Sequence, residues 1–221
     1  MNKIAICQPY FSPYLGYFQL INAVDLFVSY DDVNFIKKGW INRNKLWVNN
    51  KENLFTIPLK NQSQNIKICH TEVDWNSKDI TKFIKKLKHE YGKTPFFKDV
   101  NDIVVSCFEE KPRFISELAV MSLKKFCIYL DIKTQFKVSS TECYEKTSDR
   151  SQNLINICKQ ERHEHYINPI GGIGLYDKSH FLKRGIKLNF IQAKQSLSII
   201  DVCMKNEKQK IKTDLLDYNL L

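Results

Sequence analysis

The chain has 221 residues, 43% of them hydrophobic, and a formal net charge of +10. This length and this share of apolar residues suffice to bury one full core, so we predict a single domain over residues 1–221. No apolar run is long enough to span a bilayer, and Gln8 interrupts the first apolar run too early for a signal peptide. The sequence therefore predicts a cytoplasmic protein.

The basic residues are mostly lysine, 29 against 5 arginines. Since nucleic-acid recognition draws on arginine as well as lysine, the positive charge favours a phosphorylated small substrate over a nucleic acid. The seven cysteines are odd in number, widely spaced and never in a C-x-x-C pattern. They indicate neither a disulfide framework nor a zinc site, and the spacing of the five histidines predicts no metal site.

The opening of the chain predicts a strand, a helix and a second strand. Residues 3–7 form a short apolar run that ends at Gln8, which is typical of a buried parallel strand. A proline-containing loop, a run of apolar residues at helical spacing and the strand LFVSY follow. Because parallel strands joined by one helix end at the same edge of a sheet, we expect Gln8 and the pair Asp31 and Asp32 to share one cleft.

The remaining segments predict a β-hairpin, a helical middle section and a return to alternating strands and helices. The predicted elements are a hairpin from WINRNKLWV and LFTIPL, a strand over 66–73, a helix capped by Ser77, helices over 97–109 and 113–130, a strand through Phe136, a helix from Asp149 to Gln160, the strand HYINP, a helical turn at 180–183 and the strand IKLNFIQ. We therefore predict an α/β fold with a mainly parallel, Rossmann-like sheet.

The segment 8–21 has the layout of a phosphate-binding turn. A strand ends at Gln8, prolines stiffen the loop around Tyr10, and a helix follows. A helix N-terminus stabilises an anion through its unpaired N–H groups and partial positive charge, so we predict that Gln8 and Tyr10 bind substrate. The alternative is a rigid connection with no ligand. Nucleotidylyltransferases open in a similar way, but the tetrad YLGY lacks the histidines of their H-x-G-H motif.

The segment 30–44 combines carboxylates, cations, amides and an indole, which together can hold sugar hydroxyls and a phosphate. We predict a general-base role for Asp31 or Asp32. The predicted substrate-binding residues of this segment are Lys38, Trp40, Asn42, Arg43 and Asn44. Arg43→Ala is expected to weaken substrate binding with little change in melting temperature. The alternative is that the carboxylates cap turns and the cations form a solvated hairpin face.

A third group of residues follows later in the chain. Asp149 and Arg150 begin a predicted helix, and the pair Gly171 and Gly172 precedes Tyr176. These residues predict a second anion or ribose site, although a capped helix and a tight turn would explain them equally well. Cys7 has no cationic neighbour in sequence and lies in an apolar run, so we do not expect it to be a nucleophile.

The string QPYFSPYLGYFQLINAVDLFVSYDDVNFIKKGWINRNKL resembles the N-terminal signature of the WbqC-like family, which is roughly Q-P-x-Y-x-P-x-x-G-Y-F, A-D-x-F-V-x-x-D-D-V-x-F and W-x-N-R-N. Further similar motifs follow in the family's order: HEYGKTPFF, DRSQNLINICKQ, YINPIGGIGLYD, GIKLNFIQ and LSIIDVCMKN. The resemblance covers essentially the whole chain.

The resemblance implies a transferase of surface polysaccharide (O-antigen) biosynthesis, because family members are encoded with genes for such glycans. It implies acylation or aminoacylation, in some relatives by glycine, of the amine of a nucleotide-linked amino sugar or another phosphorylated small molecule. No certain cofactor is implied, but an activated acyl or aminoacyl donor is, and tRNA is one candidate carrier. His89, in a shared tract, becomes the best histidine candidate for acid–base catalysis. Two positions depart from the family pattern: Cys7 replaces a common histidine, and Tyr10 comes one position early.

Two other functions stay open on the sequence. One is nucleotidyl transfer, which the strand-loop-helix opening suggests. The other is a non-catalytic sugar- or RNA-binding module, in which the carboxylates only form hydrogen bonds. Release of pyrophosphate from a nucleoside triphosphate would identify the first, and an Asp31→Asn variant with unchanged binding and activity would support the second.

Overall fold

The computed structural model of the chain describes residues 2–48, 50–193 and 197–221. The strands in these ranges are β1 (Lys3–Cys7), β2 (Leu26–Ser29), β3 (Arg43–Val48), β4 (Lys51–Thr56), β5 (Gln135–Val138), β6 (His165–Pro169), β7 (Lys187–Gln192) and β8 (Asn219–Leu220). The helices are α1 (Leu15–Asn22), α2 (Lys78–Tyr91), α3 (Phe97–Glu109), α4 (Ile115–Tyr129), α5 (Arg150–Gln160), α6 (Lys178–Leu182), α7 (Ile199–Lys205) and α8 (Lys208–Asp214). Short 3-10 turns cover Ile68–His70, Ser139–Thr141 and Ile170–Gly172.

The central sheet has six strands in the order β5-β2-β1-β6-β7-β8. Neighbouring strands from β5 to β7 are parallel, and β8 is antiparallel to β7. The strands β3 and β4 form a separate antiparallel hairpin, and α2, α3 and α4 form the helical middle section. The predicted α/β fold with a mainly parallel sheet and a hairpin insertion is therefore confirmed.

Apolar side chains cover both faces of the sheet. Ala5 and Phe27 belong to a larger core with side chains of α1, α3, α4, α7 and α8. Ile6 and Val28 belong to a smaller core with side chains of α5 and α6. Because successive side chains of a strand point to opposite faces, neighbouring positions in β1 and β2 divide between the two cores. The helices thus cover the faces, and the carboxyl edge of the sheet is the place where ligands bind in such folds.

Side-chain caps fix where α2 and α5 begin. The Ser77 side chain accepts a hydrogen bond from the backbone of Asp79, and the Asp149 side chain accepts from Ser151 and Gln152. Both predicted starts are confirmed, since capping residues satisfy backbone N–H groups that have no partner within the helix. None of the helices in the described ranges combines the length and the apolar character needed to cross a membrane.

The predicted strand over 66–73 is wrong. The backbone N–H groups of Ile68 and Cys69 donate to the carbonyls of Val33 and Asp31, and the segment winds into a 3-10 turn. Its backbone groups therefore bind the irregular loop after β2 and form no ladder with the sheet. The closing segment carried no predicted elements, and the structure shows α7, α8 and β8 there.

Candidate functional site

A cavity of about 930 Å³ lies at the carboxyl ends of β1 and β6. These two strands are neighbours, but the chain proceeds from β1 to β2 on one side and from β6 to β7 on the other. Such a reversal is a topological switch point, where open α/β sheets bind their ligands. We call this space the switch-point cavity. Its lining residues come from β1 and β6, from the segments that follow β1, β2, β4 and β6, and from the start of α5. They are Ile6, Cys7, Gln8, Tyr10, Tyr30, Val33, Asn34, Phe35, Ile36, Gln64, Asn65, Arg150, Asn153, Leu154, Tyr166, Asn168, Pro169, Gly171, Gly172, Leu175 and Tyr176.

The end of β1 supplies one wall of the switch-point cavity. The Tyr17 hydroxyl of α1 donates a hydrogen bond to the Gln8 carbonyl, and the rings of Tyr17 and Tyr10 lie 5.3 Å apart. These contacts hold the chain as it leaves the strand. Burial raises the pKa of the Cys7 thiol to about 11, so this group is a protonated thiol at neutral pH.

The first turn of α5 supplies the opposite wall. The Asp149 carboxylate accepts from the N–H groups of Ser151 and Gln152 at 2.8 and 3.3 Å, which fixes the start of the helix. Arg150, Asn153 and Leu154 then line the cavity. Arg150 carries the one formal charge among the described lining residues, and it stands at the positive end of a helix dipole. This wall favours an anion.

The end of β6 and the loop 170–176 close the cavity. The Asn168 Nδ2 donates to the Tyr166 hydroxyl over 2.8 Å, and Gly172 lies against the Asn168 amide. Burial raises the pKa of Tyr10, Tyr166 and Tyr176, and the Arg150 guanidinium partly opposes the rise at Tyr176. These phenols therefore keep their protons at neutral pH and act as hydrogen-bond donors.

A second cavity, of about 650 Å³, lies on the other side of the β2 end, between the turn Ile68–His70, the turn Ser139–Thr141 and α4. Asp31 lines it and is 1% exposed. The Asp31 carboxylate accepts from the Ser140 N–H at 2.9 Å and from the Ser140 hydroxyl at 2.8 Å. The Ser139 hydroxyl lies 3.1 Å from the Asp31 carboxylate and 2.6 Å from that of Asp32, so the two carboxylates compete for its one proton. We call this space the Asp31 cavity.

Residues 8–213 match the model of the WbqC-like protein family. The chain belongs to this family. The matched range contains every lining residue of the switch-point cavity except Ile6 and Cys7. Cys7, which ends β1, thus lies just before the match begins.

One relative of the chain is an uncharacterized protein of Mycobacterium tuberculosis, Rv1507c. It is 27% identical over 192 residues, which cover 86% of this chain and 82% of the relative. No solved structure matches the chain.

Six of the predicted substrate-binding residues line the switch-point cavity: Gln8, Tyr10, Arg150, Gly171, Gly172 and Tyr176. They come from two of the three groups of residues in the sequence, the strand end at 8–10 and the later group at 149–176. Asp149 acts as the helix cap and does not line the cavity. Whether these six bind substrate stays a prediction.

Four other residues that line the cavity lie within segments indicated by the sequence but were not themselves predicted as site residues: Tyr30, Asn153, Tyr166 and Asn168. The position of Asn168 near the carboxyl end of the buried strand β6 indicates the ligand edge of such a sheet. Tyr30 stands directly after β2 in the same way. The other two residues face the cavity only because of tertiary packing.

The ends of the first two strands converge as predicted, but Gln8 and the aspartates do not line the same cavity. The ends of β1 and β2 are adjacent, with Cys7 opposite Ser29, but Gln8 lines the switch-point cavity and Asp31 lines the Asp31 cavity. Asp32 lines neither cavity and forms an ion pair of 2.7 Å with Lys146. Because side chains alternate in direction along extended chain, Tyr30 and Asp31 separate into different cavities.

The segment 38–44 lies outside both cavities, and its side chains bind other parts of the protein. The amides of Asn42 and Asn44 donate to the carbonyls of Ile57 and Ser12 at 2.8 and 3.0 Å. These buried amides satisfy backbone groups, which is a structural role.

The remaining predicted residues of this segment form a cluster of their own. Arg43 donates to the carbonyls of Lys38 and Gly39 and lies over the Trp40 ring, with 5.6 Å between guanidinium carbon and ring centroid. His89 is exposed on α2 beside Glu90, away from both cavities. The structure therefore does not bring Lys38, Trp40, Arg43 or His89 to either cavity.

Proposed function

We propose that the protein is an enzyme that transfers an acyl or aminoacyl group, glycyl among them, to the amine of a nucleotide-linked amino sugar during surface polysaccharide assembly. The general association of the WbqC-like family with O-antigen genes supports the pathway. The observation that carries the proposal is the lining of the switch-point cavity, which joins one arginine at a helix N-terminus to amides and tyrosines.

These lining groups suit each part of a nucleotide-linked sugar. Arg150 and the first turn of α5 complement a diphosphate. Gln8, Asn153 and Asn168 offer amide donors and acceptors for sugar hydroxyls. The tyrosines offer flat apolar faces for a base. The cavity, at about 930 Å³, has the size of a small-molecule site.

The proposed reaction forms a bond between the sugar nitrogen and the donor carbonyl carbon. The leaving group departs with its electron pair, and the nitrogen loses one proton. The protonated phenols and thiol described above would stabilise the oxyanion that develops on the donor. Asp31 or Asp32 stays the predicted base. Neither lines this cavity, but Lys146, the ion-pair partner of Asp32, has its Nζ 4.3 Å from the ring centroid of Tyr30, a lining residue.

The proposal is tested by titrating the protein calorimetrically with UDP-glucosamine. Arg150→Ala should weaken binding about ten- to a hundredfold, because a charge-assisted hydrogen bond contributes about 1.5–3 kcal/mol. Lys159→Ala is the matched control, since it removes one positive charge from the opposite end of α5. Equal affinity of wild type and Arg150→Ala would overturn the proposed site.

A second candidate function, a non-catalytic nucleotide-sugar-binding protein, is favoured by a specific observation. No carboxylate or imidazole is among the described residues that line the cavity. Mass spectrometry of UDP-glucosamine incubated with protein and either acetyl-CoA or glycyl-tRNA separates the two functions. An N-acylated product supports the enzyme, whereas tight binding without product from either donor supports the binding protein.

A further inference from the structure

The Asp31 cavity combines a buried carboxylate with apolar and charged side chains. Its apolar lining residues include Phe114, Val120 and Met121, and the lining residue Asp31 is 1% exposed. A cavity of about 650 Å³ is large enough for a small organic molecule. The proposed function places its nucleotide-linked sugar in the other cavity and leaves this one unassigned.

The charge of Asp31 is not balanced by a cation. The groups that donate to it are neutral: the N–H and hydroxyl of Ser140, and the Ser139 hydroxyl, which it shares with Asp32. Within residues 2–48, 50–193 and 197–221, Asp31 forms no ion pair, in contrast to its neighbour Asp32, which pairs with Lys146 at 2.7 Å. A buried carboxylate is strongly stabilised by a cation with good geometry, because water no longer solvates it fully.

None of the other charged side chains among the described lining residues of this cavity neutralises Asp31, so Asp31 can attract a cationic ligand. Lys125 is paired with Glu110 at 2.8 Å, and the Glu117 carboxylate accepts from the Phe114 N–H at 3.0 Å. Lys124 is exposed and makes no ion pair with Asp31. Three carboxylates and two lysines among the lining residues give a net formal charge of −1, opposite in sign to the switch-point cavity.

We propose that the Asp31 cavity binds an organic cation, a compound with a primary ammonium group on an apolar body. The ammonium group donates to Asp31, and the apolar body packs against Phe114, Val120 and Met121. An organic cation suits the lining better than a metal ion, since no group of three or more metal-ligating side chains occurs in the described residues. This inference goes beyond the proposed function, because it concerns a different cavity and a ligand of opposite charge.

The probe is n-hexylamine, which is a cation at neutral pH, compared with the neutral 1-hexanol. Binding is followed by nitrogen-15 NMR, and the Ser140 amide reports on the site because it donates to Asp31. Hexylamine should shift this signal saturably, with at least tenfold higher affinity than hexanol. Equal affinities of the two compounds, or no saturable shift with hexylamine, would overturn the proposal.

Two variants and one control complete the test. Asp31→Asn should weaken hexylamine at least tenfold, while Asp131→Asn removes the same charge from the surface pair with Lys212 and should leave binding unchanged. If Asp31→Asn does not fold, Met121→Trp fills the cavity without altering the carboxylate. Undiminished hexylamine binding by a folded Asp31→Asn, or by Met121→Trp, contradicts the proposal. UDP-glucosamine binding is measured on the same variants, so failure at this site is distinguishable from failure of the proposed function.

Discussion

Gly172 packs so closely against Asn168 that a Cβ at position 172 would lie 2.7 Å from the Asn168 Oδ1. The Asn168 amide has little freedom to retreat, because its Nδ2 donates to the Tyr166 hydroxyl over 2.8 Å. All three residues line the switch-point cavity. This corner of the cavity therefore requires a residue without a side chain.

Gly172→Ala should displace the Asn168 amide and weaken UDP-glucosamine binding about tenfold. Overpacking of this kind destabilises a protein by about 1–3 kcal/mol, so the melting temperature should fall as well. Gly174→Ala is the matched control, since a Cβ there meets no atom within 4 Å and Gly174 does not line the cavity. Calorimetry and thermal unfolding of both variants check the prediction, and similar affinities for the two would refute it.

Cys7 should resist alkylation at neutral pH. Its pKa, raised by burial from 9.0 to about 11, leaves almost no thiolate at pH 7, and thiolate is the reactive form. Because the pKa is raised, labelling of Cys7 should increase as pH approaches 11. Mass spectrometry after iodoacetamide treatment checks this, with the exposed Cys143 as the reference thiol.

Cys7→Ser should retain the transferase activity in the assay that detects N-acylated UDP-glucosamine. A serine hydroxyl replaces the neutral thiol as a hydrogen-bond donor, and no covalent step through the sulfur is expected. Complete loss of activity in a folded Cys7→Ser, together with fast labelling of Cys7 at pH 7, would instead identify Cys7 as a nucleophile.

The parts of the site that depend on residues close together in sequence could be predicted. The strand Lys3–Cys7 and the cap Asp149 follow from an apolar run and from helix-capping chemistry, and both are observed as predicted. They place Gln8 and Arg150 at the carboxyl edge of the sheet. The sequence could not show that these residues meet, because their pairing depends on β6 lying next to β1.

The failures have a common physical origin in tertiary contacts. The polar density of residues 38–44 suggested a ligand site, but Asn42 and Asn44 satisfy backbone carbonyls of distant loops. Asp31 and Tyr30 are adjacent in sequence and line different cavities. No local pattern reports which partner a polar side chain will find.

Asp201 connects the hairpin to two helices and should be important for stability. Its carboxylate accepts from the Tyr91 hydroxyl, from the Trp47 N–H at 3.1 Å and from Lys205 at 2.8 Å, and it is 5% exposed. Asp201→Ala should reduce the free energy of unfolding by about 1–3 kcal/mol, because it removes the carboxylate to which the buried Tyr91 hydroxyl donates. Urea unfolding checks this. Asp131→Ala, which breaks an exposed ion pair, should leave the urea midpoint unchanged.

Arg43 should matter for stability and little for ligand binding, contrary to the expectation from the sequence. Its guanidinium donates to the carbonyls of Lys38 and Gly39 and stacks on Trp40, so its donors serve the turn before β3. Lys38 has a positive φ of 59°, a conformation that such bonds help to hold. Because the Arg43 side chain is partly exposed to water, each of its hydrogen bonds contributes less to the free energy of unfolding than a buried bond would.

Arg43→Ala should therefore lower the free energy of unfolding by about 1–2 kcal/mol and the melting temperature by roughly 2–8 °C. Arg43→Lys should recover little of this, because a single ammonium lacks the planar fork that reaches two carbonyls. The affinity for UDP-glucosamine should stay unchanged in both variants, since Arg43 does not line the switch-point cavity. Arg150→Ala should show the reverse behaviour, with weaker binding and an unchanged melting temperature. If Arg43→Ala instead weakens binding tenfold without lowering the melting temperature, the segment 38–44 belongs to the ligand site after all.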